Sequence, residues 1–134
     1  MGDVYRASPY LLGEQSMTIK RLIDKVQEEK PNTFTDEKLL EFVNEIEYET
    51  AEQLAMDFEP YERVDDTELL VPEPYSRLYV SYVKAMVDYA NEEYASYQLN
   101  AEQHTQDFRD FVDWVIRTGQ AVDHTVPRRI KHVM

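Results

Sequence analysis

Asp88, Glu92 and Glu93 are the residues whose types and spacing come nearest to a reactive group. On a helix, Asp88 and Glu92 stand four residues apart on one face, and paired carboxylates can hold a cation or share a proton. Such a pair is also common on exposed or interface helix faces, and no further ligand accompanies it here. His104, His124 and His132 have no acid three residues earlier, so the Glu-x-x-His unit of di-iron bundles is missing. There is no His-Glu-x-x-His for zinc and no Gly-x-x-x-x-Gly-Lys for phosphate. The glycines stand at positions 2, 13 and 119, too scattered for a phosphate-cradling loop. Cysteine is absent, which removes thiolate ligands, cysteine nucleophiles and disulfides. Serine, histidine and aspartate all occur without a nucleophile elbow. The expectation is a protein that is not an enzyme and carries no metal or cofactor.

Charge is the stronger signal. The net charge is −13, unevenly spread. Residues 1–30 balance five acids with five bases, whereas residues 31–74 hold 14 acids and 2 bases. Residues 75–118 carry 7 acids and 4 bases, and residues 119–134 one acid and three bases. An acidic block is thus followed by a short basic tail. Such a chain does not grip nucleic acid through phosphates, because that contact is built from lysine and arginine. The block reads either as a solvated helix face with an acidic loop, or as a surface that repels or imitates DNA. No apolar run approaches the roughly 18 residues that cross a bilayer, and residues 1–15 do not read as a secretory signal. With 134 residues, one domain with a real core is expected.

Four helical segments supply that core. Ile19, Leu22, Ile23 and Val26 form an amphipathic stripe from about Thr18 to Lys30, with Thr18 or Ser16 as cap and Pro31 as stop. Thr35 caps a second helix, with Asp36 and Glu37 in its first turn. Its stripe is Leu39, Phe42, Val43, Ile46 and Leu54, with Thr50 between. Glu41, Glu45, Glu47, Glu49 and Glu52 are assigned to its outer faces, and the helix fades near Met56. Residues 57–71 form an acidic connection, either a loop or a short extended pair.

A third helix follows Leu69-Leu-Val-Pro-Glu-Pro-Tyr75. Val71 and Glu73 each precede a proline and are biased towards extended backbone, and proline is tolerated in a helix's first turn. The spacing predicts a helix over 74–98, with Leu78, Tyr82, Met86, Tyr89, Ala90 and Tyr97 in the core. Its tyrosines, Tyr75, Tyr79, Tyr82, Tyr89, Tyr94 and Tyr97, suit core packing, a wet protein interface, or both. The fourth helix starts near Asn100, where Asn100 and Gln103 form a capping pair. It carries Phe108, Phe111, Val112 and Val115 and ends at Gly119; one kinked helix through residues 98–101 is the alternative. Trp114, beside Phe111 and Val115, reads as core or interface. The predicted fold is all-α, a compact bundle of about four helices with an acidic loop between the second and third. Residues 1–16 and 120–134 form arms that lack an apolar stripe.

Taken in order, several segments resemble one family. They are Thr18-Ile19 to Lys30-Pro31-Asn32, Phe34-Thr35-Asp36-Glu37-Lys38 and Leu40 to Glu47. Leu69 to Tyr75, Leu78-Tyr79, Tyr82, Ala85, Asp88, Glu92-Glu93 and Tyr97 follow. Phe108, Phe111, Trp114 and Arg117-Thr118 complete the series. They look like the small head–tail connector (adaptor) proteins of tailed bacteriophages, over roughly residues 17–119. The resemblance implies a virion neck protein, assembled in the bacterial cytoplasm, that forms a ring of about a dozen copies below the portal. That ring would extend the DNA channel and join head to tail. Its implied partners are further copies of itself, the portal protein, the next neck or tail protein, and double-stranded DNA passing without specific binding; no membrane is involved. The resemblance also implies a portal-binding C-terminal arm, here Val126, Pro127, Arg128, Arg129, Ile130 and Lys131.

Two surfaces complete that expectation. Tyr75, Tyr79, Tyr82, Tyr94 and Trp114 are candidates for subunit contacts, and Glu45, Glu49, Glu52, Asp65 and Asp66 for a channel lining. The alternative from another class is an acidic DNA mimic that inhibits a DNA-processing enzyme.

Overall fold

The computed structural model describes residues 16–119. Four α-helices form within them: α1 Ile19–Glu29, α2 Asp36–Gln53, α3 Arg77–Ala90 and α4 Tyr94–Thr118. The fold is all-α, and among the described residues the one β contact is an isolated antiparallel bridge between Thr18 and Glu68. The first two helices begin where their caps predict. Thr18 accepts a hydrogen bond from the Arg21 amide and Thr35 one from the Lys38 amide, each satisfying a donor that a helix start leaves open. The stripes are also as predicted. Ile19, Leu22, Ile23 and Val26 of α1 meet Leu39, Phe42, Val43 and Ile46 of α2 in one buried cluster with Leu78, Val83, Phe111 and Val115.

The boundary between the last two helices differs from the sequence reading. The chain does not continue to residue 98; it breaks at Asn91–Glu93. There Glu92 adopts φ of +61°. Its amide bonds the Tyr89 carbonyl, and the Glu93 amide bonds the Asp88 carbonyl. This pair of bonds is a Schellman closure, built without the glycine that usually marks one. α4 then runs unbroken through residues 98–101, so Asn100 is not a cap. The short turn folds α3 and α4 into an antiparallel helical hairpin, sealed by Ser81 against Asp107, His104 against the Leu78 carbonyl, and Tyr75 against Trp114. α2 closes in the same way, with Ala55 at φ of +59° and the Met56 amide on the Ala51 carbonyl. Only α4 ends on the predicted glycine, Gly119, with φ of +71°.

Residues 54–76 cross the bundle as a loop, the first of the two forms expected. Their backbone does one clear service. The Thr67 and Asp65 carbonyls accept from the Ile19 and Lys20 amides, and the Leu69 amide donates to the Met17 carbonyl. The loop therefore satisfies the open donors at the start of α1 that Thr18 does not reach.

Two substitutions check this architecture by chemical denaturation. Phe111 is fully buried, and Phe111→Ala is expected to cost about 3–5 kcal/mol; Trp114, only partly buried against the core, costs less when cut to alanine. Ala55→Gly is expected to stabilise by about 0.5–1 kcal/mol, the left-handed backbone penalty less the entropy glycine adds to the unfolded chain.

Candidate functional site

The most structured polar site is Glu47, which the sequence reading placed on the solvent side of α2. It is fully buried. Helical phase explains the correction, since Glu47 lies four residues after Val43 and beside Ile46, on the margin of the apolar stripe. Four donors reach its two oxygens. Thr50 Oγ1 and Tyr79 Oη donate to Oε1, each at 2.6 Å. Tyr61 Oη at 2.6 Å and the Leu70 amide at 2.9 Å donate to Oε2. These use the acceptor capacity of a carboxylate. The Tyr79 hydroxyl in turn accepts from the Val71 amide at 2.9 Å. Burial, together with Glu47, pushes the Tyr79 and Tyr61 hydroxyls well above the ordinary tyrosine value, so both remain donors. Nearby, the Asn44 side chain clasps the Tyr61 backbone at both its amide and its carbonyl. Two helices thus hold the loop through side chains.

Asp88 and Asp107 also turn inward. Asp88 was read as half of an exposed or interface carboxylate pair; it is buried instead. Its Oδ1 lies 2.7 Å from Lys30 Nζ, and its Oδ2 accepts from Ser96 and Asn100 at 2.7 Å each. Burial alone would raise its carboxyl, but these three donors outweigh that and hold it below the ordinary value. Hydrogen bonds from Lys30 to Asp88 and Glu93 raise the lysine. Asp107 accepts from Ser81 and Gln103, each at 2.9 Å. His104 is held below its ordinary value by burial between Tyr82 and Phe108. These groups position helices; none faces an open cavity as a reactive pair. A cleft of about 240 Å³ is lined by Lys25, Glu29, Arg77, Ser81, Lys84 and Asp107. Its cations already face Glu29 and Asp107, and its volume falls below the usual range for small-molecule sites. Among the described residues no group of histidines and carboxylates is arranged to hold a metal ion, and no helix is long and apolar enough to cross a membrane.

The surface candidates separate into different environments. Tyr79 lies inside the protomer, so it cannot meet a neighbouring subunit. Tyr75 is partly buried and stacks on Trp114 at 5.5 Å. Tyr82, half-buried, donates to Glu45 at 2.9 Å. Tyr94 is exposed, and Tyr89, expected in the core, is exposed as well. Tyr89 packs edge-on to Tyr94 at 5.8 Å and beside Tyr97 at 5.3 Å. Glu45, Glu49 and Glu52 do line the outside of α2, and no lysine or arginine among the described residues pairs with them. Loss of solvent around its carboxyl, then the charges of Glu52 and Glu45, push Glu49 above the ordinary value. Asp65 is tied into the loop by the Thr67 amide and lies 3.6 Å from Arg63, whereas Asp66 is exposed. Val126 to Lys131 lie outside the described residues. No family model, no curated protein and no solved structure matches the chain.

Two measurements test the buried acids. Glu47→Gln leaves at least one buried donor short of its acceptor and is expected to cost about 1–3 kcal/mol, while Glu52→Gln on the solvent face stays within roughly 0.5 kcal/mol. Asp88 has a folded-state value below its ordinary 3.8, so the unfolded chain takes up the proton first as pH falls. The stability it contributes is therefore complete above about pH 5 and is lost as pH drops through the folded-state value. Urea titrations from neutral to acid pH are expected to show a shallower acid slope in Asp88→Asn than in the native chain.

Proposed function

We propose that the chain is a structural head–tail connector of a tailed bacteriophage, acting in the virion neck as a ring that continues the DNA channel below the portal. The observation that carries most weight is the carboxylate row Glu45, Glu49 and Glu52 on the outside of α2, which meets no lysine or arginine among the described residues. Residues 16–119 hold 24 acids and 10 bases, a net −14, so the helical body repels phosphate and would let DNA slide past without gripping it. The exposed tyrosines on the α3–α4 hairpin supply the second requirement, aromatic area with polar tips for contacts between protomers. A heterologous contact between protomers that closes on itself builds a ring from one small chain. The basic segment 126–131 is the part proposed to engage the portal. In this reading the role is structural, with no catalytic step, metal or cofactor.

The same carboxylate row supports a second reading, an acidic protein that imitates DNA and blocks a DNA-processing enzyme. One set of substitutions separates the two. Glu45→Lys, Glu49→Lys and Glu52→Lys together are expected to leave far-UV circular dichroism unchanged. In the connector, they should create salt-sensitive DNA binding and slow genome passage. In the mimic, they should abolish binding to the inhibited enzyme. Mass photometry with the portal ring encoded beside this protein is expected to show a closed ring. Free protomers alone, in the presence of assembled portal, would exclude the connector.

A further inference from the structure

Tyr89, Tyr94 and Tyr97 form an unpartnered aromatic face at the turn that joins α3 to α4. Tyr89 and Tyr94 are 56% and 55% exposed although their rings touch, and Tyr97, half-buried, lies beside Tyr89. Glu92, exposed in the same turn, meets no cation among the described residues, while Glu93 faces Lys30. The face is therefore aromatic with an anionic rim. Arginine recognises that combination best, because a guanidinium stacks on a tyrosine ring while bonding a carboxylate. In this chain the segment with matching chemistry is Val126-Pro-Arg-Arg-Ile-Lys131, part of a tail with net charge +2 after a body of −14.

Reach decides which copy supplies the segment. Gly119 ends α4, and Tyr94 starts it, about 37 Å away at 1.5 Å per residue. Arg128 stands nine residues beyond Gly119, at most about 30 Å along a fully extended chain. Even fully extended, the backbone up to Arg128 falls short of the start of its own α4. A second copy can present the segment without that stretch.

We propose that the Tyr89–Tyr94–Tyr97 face receives residues 126–131 of a second copy, in a head-to-tail contact. Arg128 and Arg129 stack on the tyrosines and meet Glu92, and Pro127 and Ile130 cover the ring edges. The contact is heterologous, so it propagates from copy to copy instead of stopping at a two-fold dimer. It goes beyond the connector role, because it concerns self-association before any portal is present, and it makes the portal and a sister copy competitors for one segment.

The test uses two full-length variants and sedimentation velocity. Tyr89→Ser/Tyr94→Ser removes the face; both residues are exposed, so circular dichroism should not change. Arg128→Gln/Arg129→Gln removes the arm's charge. The native chain, at about 100 µM, where micromolar contacts are populated, is expected to associate beyond a dimer and to dissociate as salt rises. Each variant alone is expected to associate about tenfold more weakly or not at all. Mixed, they are expected to form a 1:1 complex, since the first keeps an arm and the second keeps a face. A monomeric native chain, variants that associate normally, or a mixture with no 1:1 complex overturns the contact. If the serine pair loses helical signal, Tyr89→Gln with Tyr94→Gln replaces it under the same criteria. Portal-dependent rings from variants that fail to self-associate would leave the connector role standing while locating its subunit contact elsewhere.

Discussion

A carboxylate buried without a cation holds this fold together. Glu47 belongs to α2, yet its partners come from three places: Thr50 one turn away, Tyr79 on α3, and Tyr61 and Leu70 in the connecting loop. An unpaired buried carboxylate costs several kcal/mol in desolvation, and only a full set of donors offsets it. The site is therefore cooperative. Losing Tyr79 would leave Glu47 Oε1 with Thr50 alone and orphan the Val71 amide, and losing the loop would remove both donors to Oε2. The loop has little regular backbone pairing of its own, so its course depends on this carboxylate and on Asn44. In turn its carbonyls close the start of α1. One side chain of α2 thereby fixes the relation of α1, the loop and α3.

Asp88 and Asp107 repeat the principle on a smaller scale within the helical hairpin. Each sits where α3 and α4 face one another and is met by short polar side chains of the opposite helix, Ser96 and Asn100 for Asp88 and Ser81 for Asp107, with Lys30 at the end of α1 added for Asp88. Polar pairs of this kind are directional, whereas apolar contacts tolerate sliding. They fix the register of a hairpin whose turn has no glycine. The strain of Glu92 in the left-handed region is offset by the two turn hydrogen bonds and by the Lys30–Asp88–Glu93 cluster that anchors both sides of the turn.

What was legible in the sequence follows from locality. The α1 and α2 caps, both stripes and the Gly119 stop depend on neighbours within a turn or two, and all appear where expected. The misplaced α3–α4 boundary has a local cause hidden by residue type: a Schellman closure on Glu92 leaves no glycine to read. The inward acids were misread for the opposite reason. Their donors lie far along the chain, with Tyr61 at 14 residues and Tyr79 at 32 residues from Glu47, and a single glutamate is ordinarily solvated. Phase was the available clue, since Glu47 continues the Leu39–Val43 row. Tyr79 and Tyr89 exchanged roles for the same reason: tyrosine suits either side of a surface, and only the partner of its hydroxyl decides.

The sorting of acids has a consequence for association. Glu47, Asp88 and Asp107 are consumed by the fold, whereas Glu45, Glu49 and Glu52 are exposed and meet no cation among the described residues. Two bodies of this kind repel one another at a distance, so attraction between them needs more than their facing carboxylates. The aromatic face stands at the α3–α4 turn, and Tyr82 of α3 bonds Glu45 of the acidic row. Like-charge repulsion over much of the surface limits the orientations in which copies could meet. That restriction favours directional contact over indiscriminate clustering.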